Sequence, residues 1–162
     1  MEWPTTVEYT TEINDTFDTI VKQVTETPDG KELDIDTPTS ISQEFTGEGR
    51  VVFDTSAYTT FDTVLKVPYN DYGLKETRFE NIERKQFPPI LQERTAPVLD
   101  IGQDHSWIIQ PKCDNLPQHR THNAVSTLMQ IVEETGYNTA EIYPMNIGLW
   151  NDTPVLFDYG SL

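Results

Sequence analysis

Apolar residues recur along this chain in short segments, some at helical spacing and some in alternation. The first segment covers residues 13–25 and predicts a short amphipathic helix with a cap at Asn14 or Asp15. The next segment, Thr27–Gly30, predicts a turn, and the polar residues from there to Ser42 predict a loop or an edge strand. The apolar positions of the helix predicted over residues 13–25 are Phe17, Ile20, Val21 and Val24.

A β-hairpin is predicted by the alternating, β-branched pattern of residues 43–69. Its arms are Arg50–Phe53 and Thr63–Val67, and the connection between them is polar. The segment Tyr69–Gly73 then breaks the alternation with polar and turn-forming residues. We therefore expect two antiparallel strands ahead of the next helix.

That next helix is predicted over Leu74–Phe87, a charged segment that two consecutive prolines end. Two further strands are expected around residues 97–101 and 106–110, joined by a turn at residues 102–105. The helix predicted over Leu74–Phe87 has only a modest apolar stripe, made of Phe79, Ile82 and Phe87.

The last third of the chain begins with about ten polar residues after Lys112 and continues with an amphipathic helix from Asn123 to Glu134, stopped at Gly136. A final hairpin is expected from strands Asn146–Leu149 and Val155–Phe157, with the turn at Asn151-Asp152. Helices and antiparallel strands in this order predict an α+β fold. The apolar positions of the helix predicted from Asn123 to Glu134 are Val125, Leu128, Met129 and Val132.

The charge of the chain is strongly negative, with 27 acidic against 11 basic side chains, a net charge of -16 and a pI near 4.3. Phosphate contacts need Lys and Arg, so we expect neither nucleic acid nor an anionic membrane as a partner. Apolar runs such as Val51–Phe53 favour a folded protein that lives in high salt, where screening weakens the repulsion between carboxylates. An ordinary acidic cytosolic protein is the alternative.

The cellular location is expected to be cytoplasmic. Cys113 is the single cysteine, so no intramolecular disulfide is possible. No apolar run reaches the roughly 20 residues of a membrane-spanning helix. The N-terminus has neither the basic nor the apolar part of a signal peptide.

Three candidate functional features lie in the first half of the chain. The Gly47-Glu48-Gly49 sequence precedes a strand, and glycines there would let a backbone turn approach phosphates closely, although an ordinary turn between strands has the same pattern. Lys66 stands between apolar neighbours of a strand, either buried and paired or on the solvent face. Glu80 in the following helix is a candidate partner for that lysine, with Glu76 as its rival; a solvated face is the simpler interpretation of either.

A candidate metal site lies at the C-terminal hairpin. Asn146 and Asp158 stand on its opposite arms, so both are expected near its open end, where two oxygen ligands can share a hard cation such as Mg²⁺. Alternatively, both are turn-forming residues at strand ends. His119 and His122 have a spacing that could suit a metal, but exposed loop residues are the simpler interpretation.

Taken together, these features resemble the protein-kinase-like superfamily, and most closely the very small kinase-like proteins of tailed viruses and prokaryotes. The resemblance covers roughly residues 43–162. It rests on the order glycine loop, strand lysine, helix glutamate, catalytic-loop Asn and Asp-x-Gly. The matching segments are Gly47–Asp54, Val64–Val67, Ala96–Val98 with Trp107, and Asn146–Gly160.

The resemblance implies a particular organisation of the chain. After an N-terminal extension with a short helix (residues 1–42), a kinase-like N-lobe with an antiparallel sheet and one αC-type helix would occupy residues 43–111. A truncated C-lobe, with one helix, a catalytic-loop hairpin and the Asp-Tyr-Gly segment, would occupy residues 112–162. The chain stops at Leu162, so we expect no activation segment or substrate-docking lobe.

The resemblance also implies roles for individual residues, with ATP and Mg²⁺ as cofactors. Lys66 would contact the α- and β-phosphates, oriented by Glu80, and the turn at Gly47 and Gly49 would cover the phosphates. Asn146 and Asp158 would bind Mg²⁺. The segment Gln110–Cys113, which includes Lys112, would be the hinge that meets adenine through backbone groups.

One departure from the family pattern bears on catalysis. Kinases place an Asp five residues before the metal-binding Asn, and here Glu141 stands at that position, preceded by Thr139-Ala140 in place of His-Arg. The extra methylene shifts the carboxylate by about an ångström, enough to cost roughly a hundredfold in rate.

Two functions therefore remain open. One is a minimal phosphotransferase using Lys66, Glu141, Asn146 and Asp158. The other is a catalytically inactive kinase-fold protein that acts as a viral structural or host-interaction factor, in the virion or host cytoplasm, with a protein partner. A third hypothesis is that the protein is a small, unrelated α+β adaptor.

Overall fold

The computed structural model describes residues 2–27, 37–38, 40–140 and 142–162. Residues 28–30 of the turn expected at Thr27–Gly30, most of the loop expected before Ser42, and Glu141 lie outside the described residues. The chain has an α+β fold and forms two compact units. The five-stranded unit contains the described residues of Pro4–Arg78 and Val98–Lys112; the three-stranded unit contains those of Met1–Trp3, Phe79–Pro97 and Cys113–Leu162.

An antiparallel sheet forms the centre of the five-stranded unit, in the order β1-β2-β3-β5-β4. The predicted β2–β3 hairpin is confirmed, and the strands expected over 97–101 and 106–110 are present but shorter. The elements of this unit are α1 (Asn14–Glu26), β1 (Ser42–Thr46), β2 (Arg50–Asp54), β3 (Thr63–Pro68), β4 (Asp100–Ile101) and β5 (Ile108–Pro111). Helix α2 (Asp71–Ile82) begins in this unit, which contains its residues up to Arg78.

One face of this sheet packs against α1, because alternate residues of each strand turn to the same side. The predicted N-terminal helix is confirmed, but the predicted cap is wrong: the capping position is Ile13, and no side-chain capping hydrogen bond is formed there. The core residues shared by helix and sheet include Phe17, Ile20, Val24, Val51, Phe53, Leu65, Val67, Trp107 and Ile109.

Helix α2 differs from its prediction at both ends. It begins at Asp71 because the side chain of Asn70 accepts the N–H of Gly73 at 2.8 Å, as a helix cap does. It ends at Ile82, and a 3₁₀ turn over Arg84–Gln86 follows. The predicted apolar stripe is wrong at Ile82, which is 46% exposed. The buried face is polar instead and consists of Gly73, Thr77, Glu80 and Asn81.

A smaller antiparallel sheet, in the order β6-β7-β8, belongs to the three-stranded unit and packs with α4. The predicted amphipathic helix is confirmed as α4, which ends at Gly136 with a left-handed φ of 82°. Met129 is 39% exposed and so is not part of its buried face. The elements are α3 (Pro89–Gln92), β6 (Asp114–Asn115), α4 (Thr121–Thr135), β7 (Ile147–Trp150) and β8 (Thr153–Leu156); α3 and β6 were not predicted.

The β7–β8 hairpin is confirmed, with its turn at Asn151 and Asp152 as predicted. Both turn residues have positive φ (48° and 63°), the geometry of a type I′ turn. Near the turn, Trp150 stacks on Trp3 with ring centroids 4.8 Å apart. No helix among the described residues is long and apolar enough to cross a membrane.

Candidate functional site

The open end of the β7–β8 hairpin brings Asn146 and Asp158 close together along the backbone. Ile147 pairs with Leu156, and the N–H of Phe157 donates to the carbonyl of Asn146 at 3.1 Å. Asn146 therefore lies opposite Phe157, and Asp158 is the next residue on that arm. Both side chains are half-buried. The register thus places the two predicted metal ligands at the same end of the hairpin.

The backbone that follows Asp158 is held by a fully buried carboxylate. The N–H of Tyr159 donates to Oε2 of Glu80 at 2.9 Å, and Glu80 is 0% exposed. The phenol of Tyr159 donates to the carbonyl of Ala96, and the N–H of Ala96 donates in turn to Leu156 of β8 at 2.9 Å. Tyr159 is therefore fixed at its backbone and at its hydroxyl, and the position of Asp158 beside it is restrained.

The chemistry of this pair suits a hard divalent cation. A carboxylate and a side-chain amide supply oxygen donors, and Mg²⁺ takes few protein oxygens because it keeps water and phosphate ligands. Within the described residues, no group of three or more His, Cys, Asp or Glu residues is arranged to hold a metal ion. His119, in the 3₁₀ turn before α4, and His122, in the first turn of α4, are both exposed. The Asn146–Asp158 pair is therefore suited to a metal that other ligands also coordinate.

Lys66 belongs to the five-stranded unit and is 2% exposed. It lies opposite Val52 of β2 and Ile108 of β5, on the sheet face that does not pack against α1. Arg50, which is 5% exposed, is its diagonal neighbour on the same face. The interpretation of Lys66 as an exposed strand residue is therefore wrong: the two buried basic side chains of the described chain share one face of the sheet.

The two candidate glutamates of α2 have different surroundings. Glu76 contributes an oxygen 3.9 Å from Nε of Arg50, a long ion pair within the five-stranded unit. Glu80 belongs to the three-stranded unit, where it accepts the N–H of Tyr159. The simple interpretation of both as a solvated helix face is wrong, because Glu80 is fully buried and Glu76 is only 14% exposed.

The Gly47-Glu48-Gly49 turn joins β1 to β2 and lies against the start of α2. A Cβ atom at Gly49 would be only 2.5 Å from the backbone nitrogen of Gly73, so the two backbones touch. Close packing against the backbone of the helix therefore requires glycine at position 49.

The predicted hinge, Gln110–Cys113, includes the boundary between the two units, which falls between Lys112 and Cys113. Gln110 is fully buried opposite Val64. The N–H of Lys112 donates to the carbonyl of Asp62 at 2.9 Å, so this amide belongs to the sheet. Cys113 is half-buried, and its Cβ lies close to Gly148 of β7.

The side chain of Lys112 forms a partly exposed ion cluster with two carboxylates. Its ammonium lies 2.6 Å from Asp54 and 3.5 Å from Glu44. Burial raises the pKa of Asp54, but hydrogen bonds from Lys112 and Ser56 outweigh it and leave the pKa below its usual value. The bond to Asp54 raises the pKa of Lys112 above its usual value.

Two residues that the sequence did not single out hold the candidate features in place. Tyr159 lies inside the Asp-Tyr-Gly motif, but nothing in the sequence connects it with Glu80. Asn70 caps α2, and the Asn70-Asp71 pair before a helical pattern is a signal that could have identified this cap.

No protein-family model matches the chain, and no curated protein is significantly similar to it in sequence.

Proposed function

We propose that the protein binds ATP together with Mg²⁺, and that Asn146 and Asp158 are the metal ligands. The observation that carries this proposal is the hairpin register, which brings the backbones of Asn146 and Asp158 to the same end of β7 and β8. A metal ion bound there would neutralise phosphate charge and orient the phosphates. The protein's part is to hold both oxygens in a fixed relation before the ligand arrives.

The restraint on Tyr159 supports this role for Asp158. A side chain that must present an oxygen to a metal gains affinity when its backbone is already fixed. The bond from Tyr159 to Glu80 supplies that restraint, and it uses a carboxylate that is completely removed from solvent. Burying a carboxylate is costly unless hydrogen bonds satisfy it. The bond from Tyr159 offsets part of this cost and gives Glu80 a structural role beside Asp158.

The burial of Lys66 supports the phosphate-binding role that the kinase resemblance implies for it. Lysine is seldom found inside a protein unless its charge is used or paired. Arg50, the other buried basic residue on that face of the sheet, lies 3.9 Å from Glu76. A kinase-like N-lobe, with Lys66 on β3 and Glu80 on the next helix, is the arrangement we propose for this fold.

Phosphoryl transfer would add a base to this binding function, and Glu141 is the residue proposed for it. Binding without turnover is the second candidate. The glycine turn favours it, because its close contact with Gly73 leaves it unlike a loop that closes over phosphates. The exposure of Tyr143 (49%) and Met145 (71%), just before Asn146, also favours a protein partner for that segment.

Thermal unfolding in high salt tests the proposal. Mg²⁺ and ATP together are expected to raise the Tm of the wild type by several degrees at about 100 times Kd, with a smaller shift for ATP alone. Asp158→Ala should lose the shift, whereas Asp114→Ala, an exposed carboxylate in the same unit, should keep it. No shift in the wild type would refute nucleotide binding. Transfer of labelled phosphate to added acceptors then separates a phosphotransferase from a binding protein.

A further inference from the structure

The glycine turn is bonded to the chain just before and inside α2 by more than the contact of two glycines. The carbonyl of Gly49 accepts the N–H of Tyr69 at 2.9 Å, and the carbonyl of Gly47 accepts the hydroxyl of Tyr69. The remaining carbonyl of the turn, that of Glu48, accepts Nδ2 of Asn70 at 2.8 Å. All three turn carbonyls are therefore bound by two consecutive residues.

Asn70 joins the turn and the helix with one side chain. Its amide nitrogen donates to Glu48 of the turn, and its amide oxygen accepts the N–H of Gly73 in the first turn of α2, each at 2.8 Å. Asparagine can do both because it carries a donor and an acceptor on one planar group. A carboxylate or a hydroxyl could cap the helix equally well but could not make both bonds in this geometry.

Further contacts fix the same two segments. The N–H of Gly47 donates to the carbonyl of Arg50, which closes the turn, and Arg50 lies 3.9 Å from Glu76 of α2. A Cβ on Gly73 would overlap the carbonyl of Gly49, so any side chain there would push the turn from the helix. Gly49 and Gly73 are both buried, as expected for a packed backbone contact.

We propose that the glycine turn and the first turns of α2 form one rigid body, in which Asn70 is the positioning residue. The turn then offers any bound phosphate a preset backbone and does not close over it as a movable flap. Displacement of the first turns of α2 then displaces the glycine turn with them. The rigid body stands on the contacts of the unliganded chain; only its effect on ATP rests on the proposed function.

Amide hydrogen exchange, followed by NMR without ligand, tests the rigid body itself. The amides of Gly47 and Tyr69 should be protected to within roughly tenfold of Val51 and Val67, which pair in the adjoining β2–β3 ladder. Asn70→Ser keeps a helix cap but cannot reach Glu48, so exchange at Gly47 and Tyr69 should quicken roughly five- to tenfold. Asn123→Ser, at an exposed position of α4, should change neither amide.

The affinity for Mg²⁺-ATP, measured on the same three proteins, tests the positioning role. Asn70→Ser should weaken binding several-fold, and Asn123→Ser should not. Fast exchange of Tyr69 in the wild type, or no change in Asn70→Ser, would overturn the rigid body. Equal affinity of wild type and Asn70→Ser would overturn the positioning role. Absence of binding by the wild type would refute the proposed function and leave the exchange result standing.

Discussion

Glu80 accepts the backbone N–H of Tyr159 at 2.9 Å while its side chain is completely shielded from solvent. The bond joins residues 79 positions apart in the chain. A buried acceptor of this kind is expensive to remove, because the donor left behind has no water to replace it. The stability of the three-stranded unit and the geometry of Asp158 should therefore both depend on Glu80.

The first prediction concerns the removal of this carboxylate. Glu80→Ala should lower the free energy of unfolding by about 2–4 kcal/mol, through the orphaned N–H and the cavity left in the core. Urea denaturation measures the change. Glu80→Gln keeps an acceptor oxygen and should cost less. Glu133→Ala, on the exposed face of α4, should change stability by less than about 0.5 kcal/mol, and an equal loss there would contradict a special role for Glu80.

The second prediction concerns the phenol of Tyr159. Tyr159→Phe removes the donor to the buried carbonyl of Ala96 and should cost about 1–3 kcal/mol with little change in packing volume. The matched control is Tyr143→Phe, because Tyr143 is 49% exposed. The variant should also reduce Mg²⁺ affinity, since Asp158 is adjacent. Unchanged stability in Tyr159→Phe would show that the hydroxyl has no structural role.

The third prediction concerns the pH dependence of the Asp54–Lys112 ion pair. The folded-state pKa of Asp54 lies below its unfolded value of 3.8, so its contribution is present above that value and is lost as pH falls through the lower folded pKa. The pKa of Lys112 is raised, so its contribution is present below 10.5 and is lost at higher pH.

The pair is partly exposed, and its contribution should not exceed about 1 kcal/mol. The difference in unfolding free energy between wild type and Asp54→Asn should be constant near neutral pH and shrink below about pH 4. Chemical denaturation across the pH range measures it. A difference that grows as the pH falls would have the wrong sign for this pair.

The fourth prediction concerns salt. A net charge of -16 destabilises the compact chain by self-repulsion, and added salt screens that repulsion. The Tm should rise by several degrees between about 0.05 and 1 M KCl, most steeply at the low end where the Debye length changes most. A flat or falling Tm would contradict adaptation to high salt.

Sequence patterns predicted the elements whose buried faces are apolar. Helices α1 and α4 were located correctly because apolar residues recur in each at helical spacing. Examples are Phe17 and Ile20 in α1, and Leu128 and Val132 in α4. The final hairpin was predicted from its Asn151-Asp152 turn, and that turn also sets the register that brings Asn146 and Asp158 to the same end of the hairpin. Local signals were sufficient in these places.

Helix α2 shows why the remainder could not be predicted. Its buried face carries Thr77, Glu80 and Asn81, so a search for apolar periodicity places its boundaries and its orientation incorrectly. The partners of these polar groups are distant in sequence, as the bond to Tyr159 shows. Burial of Lys66 was equally hidden, because alternation in a strand does not reveal that both of its faces are covered.

The most direct test of the proposed metal site is NMR line broadening by a trace of Mn²⁺, which substitutes for Mg²⁺ and broadens nearby amides. We predict selective broadening at Asn146 and Asp158, reversed by excess Mg²⁺ and absent in Asp158→Ala. The internal reference is Asp152, an 88% exposed carboxylate at the opposite end of the same hairpin, six residues before Asp158 and so roughly 20 Å along the strand. Equal broadening at Asp152 and Asp158 would mean that the cation follows the acidic surface, and it would contradict a metal site at Asn146 and Asp158.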